Sequence, residues 1–185
     1  MLKWVAMQID RRELRELLSI VALCVGAAMV YGVAHDQLTA RICPEYFTIG
    51  HSDLGRPEIF HSDSPTVLGL AWGIVATWWV GLFLGMALAA AARLGGAPKV
   101  SARGLLRGVI VVLLLMAVSA FVAGVRGADA TAPAWVLLEI GIAAERHRAF
   151  MIAWGAHQAS YAVGFLGGVG LCVVTLLRRR RAAIL

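Results

Sequence analysis

At 185 residues the chain is long enough for one domain, but 60% of it is hydrophobic and its mean hydropathy is +0.78. Soluble globular domains run at about 45–50% apolar, so a water-soluble enzyme or binding module is excluded and a membrane protein is expected. The net charge of +6 sits beside apolar runs, where it reads as membrane orientation rather than nucleic-acid binding.

The N-terminal residues 8–16, QIDRRELRE, read as a short amphipathic helix entering the first apolar run, 17–34. Gly32-Val33-Ala34 resembles a signal-peptide cleavage site, but Asp10, Glu13 and Glu16 lie in the preceding charged region, so a retained first helix is expected. Residues 35–51, HDQLTARICPEYFTIGH, then gather unusual chemistry for so oily a chain. Within the loop 35–65, EYFTI and PEIFH are short and rich in aromatic and β-branched residues, and turn-like GHSDLGR lies between them. That pattern predicts a small two-stranded hairpin.

Ser64-Pro65 supplies a helix-start signal for the second run, 66–92. The third run is 108–125. A loop at 126–148 follows, with Asp129 and Thr131 before Pro133 predicting a short interfacial helix over 133–147. The fourth run, 149–177, ends in Arg178–Arg181. None of the four runs contains Asp, Glu, Lys or Arg, and each is near or above the roughly 20 residues a bilayer core requires. Gly81-x-x-x-Gly85 and Gly164-x-x-x-Gly168 predict close helix packing. The expected fold is all-α: one four-helix membrane domain over 1–185, with a structured outer loop. No repeat of solenoid period occurs.

Twelve of the seventeen Lys and Arg lie in residues 1–16, 93–107 and the C-terminal tail, and five lie in loops 35–65 and 126–148. The positive-inside rule puts both termini in the cytoplasm and both long loops outside. All five histidines then fall on the outer half, as do eight of the eleven acids. About 20 residues counted outward from each arginine-marked end bring His35, Asp36, His157 and Gln158 to one level. The second and fourth helices overshoot that level by about 12–14 Å and can wall the segment that begins HDQLTAR.

On the fourth helix, Trp154, His157, Gln158 and Tyr161 share a face by helical spacing, and His35, Asp36 and Thr39 form a shorter stripe at the end of the first. Polar faces in a membrane span turn towards protein. HDQLT followed by EYFT resembles the signature of an uncharacterised group of small bacterial integral membrane proteins, which place HDQ-x-T at the end of a first span and EYFT shortly after. The similarity covers about residues 35–48. It implies a bacterial inner-membrane protein and transfers no activity.

Two function classes follow. The first is a non-enzymatic protein whose outer segment is a packed structural cap, or binds a ligand or a partner. Here Asp36, Arg41 and Glu45 form ion pairs, and His35 and Gln158 satisfy backbone groups. Thr39 and Tyr161 belong to the same cap, and Tyr46 and Phe47 bury against the helix ends. The second class is a metal- or cofactor-dependent centre at the outer interface, enzymatic or not. A divalent metal there would draw ligands from His35, Asp36, Glu45, His51 and His157, because imidazole nitrogen with carboxylate oxygen suits zinc, iron or manganese. No HExxH spacing marks such a site, and the structural class takes precedence on sequence alone. The decisive geometry is whether His35, Asp36 and His157 share one depth with Glu45 folded over them.

Other chemistries lack support. Cys24, Cys43 and Cys172 form no CxxC pair, against zinc-ribbon or thiol-exchange sites. Only His157 lies within a span, against a bis-histidine haem or a proton pump. No GxSxG accompanies the serines, against a hydrolase. The expected partners are the lipid bilayer and either further copies of the chain or another membrane protein, with no nucleic acid.

Overall fold

A computed structural model of the chain describes residues 10–52, 62–129 and 141–184. Every regular element among them is helical: α1 (Arg11–Ile42), α2 (Glu45–Ser52), α3 (Pro65–Val75), α4 (Trp78–Arg93), α5 (Ala102–Gly127), a 3-10 turn (Ala144–Arg146) and α6 (His147–Ala182). Four helical segments are long and apolar enough to cross a membrane: Arg11–Ile42, Pro65–Arg93, Ala102–Gly127 and Ala144–Ala182. Large apolar side chains point away from the protein along them, including Val30, Phe83, Phe121 and Phe165. In water such surface would aggregate; facing acyl chains it is ordinary. The chain is a multi-pass membrane protein built as a helix bundle. One end carries His35 and His157, the other the arginine-rich segments, and we call these the histidine end and the arginine end.

α1 starts at Asp10, whose carboxylate accepts the Glu13 amide at 2.7 Å. The amphipathic N-terminal segment is therefore continuous with the first span. Its 32 residues rise about 48 Å. The helix runs on through HDQLTAR, so His35, Asp36 and Thr39 lie on the end of the first helix as expected, and the loop expected from residue 35 begins only after Ile42. The helix stops at Cys43, extended at φ −148° and ψ 87°, because Pro44 disfavours helical backbone in the residue before it. The Pro44 carbonyl then accepts the amides of Phe47 and Thr48 at 2.9 and 3.1 Å, opening α2. EYFTI is thus helix and not the first strand of a hairpin. Its proposed partner strand, 57–61, lies outside the described residues, as does most of the interfacial helix expected over 133–147; from Gly141 the chain makes a turn, then the 3-10 turn, then α6.

The second span is broken at Ala76–Thr77. The Thr77 hydroxyl bonds the Gly73 carbonyl, and the Thr77 amide turns instead to Ile74 O at 3.2 Å. Across this break, α3 and α4 lie on α1 along positions spaced by four: Gly69, Gly73, Thr77, Gly81 and Gly85. A Cβ on Gly73 would sit 2.5 Å from Val33 Cα, and one on Gly81 2.7 Å from Cys24 O. The backbones touch, as small residues at this spacing allow. Gly164 and Gly168 behave differently. They face separate neighbours, Met116 of α5 at 3.0 Å and Leu84 of α4 at 2.9 Å.

Two cores result. The arginine-end core holds Ile20, Leu88, Ala89, Ala92, Leu105 and Val109. Beyond it Glu13 receives Arg93 Nε at 2.9 Å and Lys99 Nζ at 2.9 Å. Arg179 of α6, buried, donates to the carbonyls of Ala91, Leu94, Ala97 and Pro98, satisfying carbonyls left open where α4 ends. The histidine-end core joins Tyr46 and Phe47 of α2 to Leu68, Trp72, Phe150 and Ala153, and it surrounds the polar residues described next.

Candidate metal centre

α1 and α6 each bring polar side chains to one place. His35 and Asp36 come from α1, about two turns before its end, and His157 comes from α6. Each offers a ligand atom, and these three atoms lie within 4.8 Å of one another. Asp36 is 5% exposed and His157 2%. The backbone of α3 supports the first pair from behind: a Cβ on Gly69 would come within 2.9 Å of Asp36 C and O.

The hydrogen-bond accounting of His157 is restrictive. Nδ1 lies 2.7 Å from Ala153 O, and a carbonyl only accepts, so Nδ1 carries a proton. Nε2 lies 3.2 Å from Asp36 Oδ1. A carboxylate oxygen and an imidazole lone pair repel unless something positive lies between them. That something is a proton on either atom or a metal ion. The second imidazole crosses the first edge-on, with ring centroids 4.5 Å apart at 79°. His35 Nε2 is enclosed and meets no hydrogen-bond partner among the described residues. A buried polar atom left so costs about 1–3 kcal/mol.

Hydroxyl and aromatic groups complete the surroundings. Tyr31, one turn before His35, stacks on it at 5.7 Å and 17°, and its hydroxyl shares a 2.8 Å hydrogen bond with Ser160. Thr39, one turn after, donates to His35 O at 3.1 Å. Tyr46 and Phe47 of α2 cover His157 with ring centroids at 4.3 and 5.6 Å.

The other residues singled out in the sequence go elsewhere. Glu45 does not fold over the triad. It accepts Arg146 Nε at 2.8 Å and Nη2 at 2.9 Å, with the Cys43 thiol donating to it at 3.3 Å. The guanidinium holds its carboxyl below the usual carboxylate value, and this two-pronged partner outcompetes any pull towards the histidines. Arg41 makes no pair with Asp36; it bonds Gln37 and the Thr66 hydroxyl, the latter at 3.1 Å. The His51 side chain lies outside what the structure describes. Gln158 and Trp154 are exposed, so the buried stripe on the fourth span is rotated from the expected one; Tyr161, half-exposed, still meets His157 edge-on with ring centroids 6.0 Å apart. The buried face of α6 is Ala153, Ala156, His157, Ser160 and Gly164. Tyr31 and Ser160 were missed. The signal that would have found Ser160 was its place in a row of small residues at helical spacing.

No family model, curated protein or solved structure matches this chain. Its own geometry therefore carries the functional reading.

Proposed function

We propose that this is a bacterial inner-membrane protein, with both termini cytoplasmic, that holds one divalent transition-metal ion on His35, Asp36 and His157 near its outer face. The uneven spread of Lys and Arg supports the orientation, and the HDQLT–EYFT resemblance supports the bacterial setting. One observation carries the metal reading: the buried, unpartnered His35 Nε2 belongs to a triad whose other two members need a proton or a metal ion between them. A metal there answers both demands at once. Two imidazoles and one carboxylate suit zinc, iron(II) or manganese(II). Neighbouring ligand atoms on one such ion lie about 3.0–3.5 Å apart, given bonds of about 2.0–2.2 Å, so the His157–Asp36 pair at 3.2 Å already fits, and a triad whose atoms lie within 4.8 Å closes onto the ion with side-chain shifts of about 1 Å.

A second reading is favoured by the direct His157–Asp36 contact: a proton-holding polar staple that joins α1 to α6 and belongs to a structural cap or partner-binding surface. Elemental analysis separates the two. Protein purified in nanodiscs, equilibrated with zinc, cobalt or manganese and then desalted, is expected to retain about one ion per chain. Asp36→Asn and His35→Ala should lose it while keeping wild-type helical circular dichroism. A folded wild-type protein that retains none of the three metals would leave the staple as the function of the triad.

A further inference from the structure

α2 covers the triad at the histidine end of the bundle. Within the bundle the α3 backbone at Gly69 packs on the backbone of Asp36, and the Tyr31–Ser160 hydrogen bond joins α1 to α6 beside His35. At the histidine end Tyr46 and Phe47 of α2 lie on His157, both buried. α2 is only eight residues long and leaves α1 through the Cys43–Pro44 break. Besides its apolar contacts, it is held by a charged fastening among the described residues. Arg146, beside the start of α6, grips Glu45 through two nitrogens, and the same guanidinium donates to Ile42 O at 3.0 Å. The side chains of this pair are 36% and 29% exposed, so it sits at the rim, away from the metal ligands.

We infer that α2 is a latched cover over the triad and that the Glu45–Arg146 ion pair sets how fast a divalent metal enters and leaves. This rests on the metal reading above. The latch touches none of the three ligands, so breaking it changes the rate of opening and leaves the coordination intact. Loading and release then speed up together, and the equilibrium affinity moves little. Because Tyr46 and Phe47 still dock without the ion pair, the cover stays folded in its absence.

The experiment follows cobalt(II) in the full-length protein in nanodiscs. Its visible absorption reports occupancy, and excess chelator starts release. Glu45→Gln and Arg146→Gln are each expected to accelerate release and loading by about tenfold, the scale of one charge-assisted hydrogen bond, with Kd changed less than about threefold. The reversed pair, Glu45→Arg with Arg146→Glu, is expected to slow exchange back towards wild type. Cobalt binding with unchanged exchange rates in both single variants would overturn the latch and leave the metal site standing. The latch is also overturned if the variants lose affinity by the same factor as they gain release rate, since Glu45 would then be acting on the bound state. Failure of wild-type protein to bind cobalt at all overturns the metal reading and the latch with it.

Discussion

His35 and His157 have the same side chain and different constraints. The i−4 carbonyl of Ala153 fixes the tautomer of His157, which leaves Nε2 alone to face Asp36. His35 has no such anchor for its enclosed Nε2. These residues and Asp36 were legible in the sequence, because their depth follows from helix rise counted from the arginines. Glu45 was not: its partner Arg146 lies 101 residues away, and no local pattern relates the two. Tyr31 was hidden for another reason, since a lone hydroxyl inside an apolar run gives no sign of its partner until the two helices are brought together; Ser160 is marked only by its place in the row of small residues on α6. The Glu45 latch has a pH signature. Its folded-state pKa is depressed by Arg146, so the charged form is favoured by folding. The stability it adds is fully present above the ordinary carboxylate pKa and is lost as pH falls through the lower folded value. The thermal midpoint of wild-type protein is expected to exceed that of Glu45→Gln at neutral pH, with the gap closing in strong acid. A gap that widens on acidification would contradict the ion pair as described.

Between elements, the join of α1 to α3 and α4 is made by absent side chains. The pattern Gly81-x-x-x-Gly85 was read from the sequence, but the row starts earlier, at Gly69, and passes through Thr77, whose methyl and hydroxyl both meet α1 where Gly32 lies. Threonine does not register as a small residue in a search for glycine pairs, so the longer row and the break at Ala76–Thr77 escaped notice. α2 was misread for a related reason. EYFTI has strand-forming composition, yet its aromatics bury against α6 and Pro44 presets the first helical turn; packing overrides a propensity worth at most about 1 kcal/mol. The glycine row gives a sharp contrast. Gly73→Ala drives a methyl against the Val33 backbone, and Gly73→Leu more so, with an expected loss of about 1–3 kcal/mol typical of overpacking. Gly26→Ala meets nothing within 4 Å and is expected to be neutral or to stabilise by up to about 1 kcal/mol through helix propensity. Unfolding by SDS titration in mixed micelles ranks the variants. Equal effects at Gly73 and Gly26 would show that the α1–α3 crossing is not a backbone contact.

Over the whole molecule the two ends are built to different rules. The arginine end is closed by charge and backbone: Arg179 fills the carbonyls after α4, and Glu13 holds Arg93 and Lys99. The histidine end is closed by apolar packing around a small polar centre, with the Glu45–Arg146 ion pair at its rim. This asymmetry matches the environments proposed for them, since a cytoplasmic end rich in Lys and Arg meets anionic headgroups, at roughly 1 kcal/mol per basic residue near the surface. The orientation can be read directly by labelling. With Cys24, Cys43 and Cys172 replaced, single cysteines at Ser62 and Gly96 report the two ends; Ser62 lies just before α3, and Gly96 is exposed with open space around it. A membrane-impermeant maleimide applied to intact spheroplasts is expected to modify Ser62→Cys, and to modify Gly96→Cys only after the membrane is permeabilised. The reverse pattern would turn the protein over and place the triad near the cytoplasm, where its metal would come from the cell's own buffered pool. Labelling of both positions in intact spheroplasts would contradict the bundle itself, because an odd number of membrane crossings separates Ser62 from Gly96 along α3 and α4.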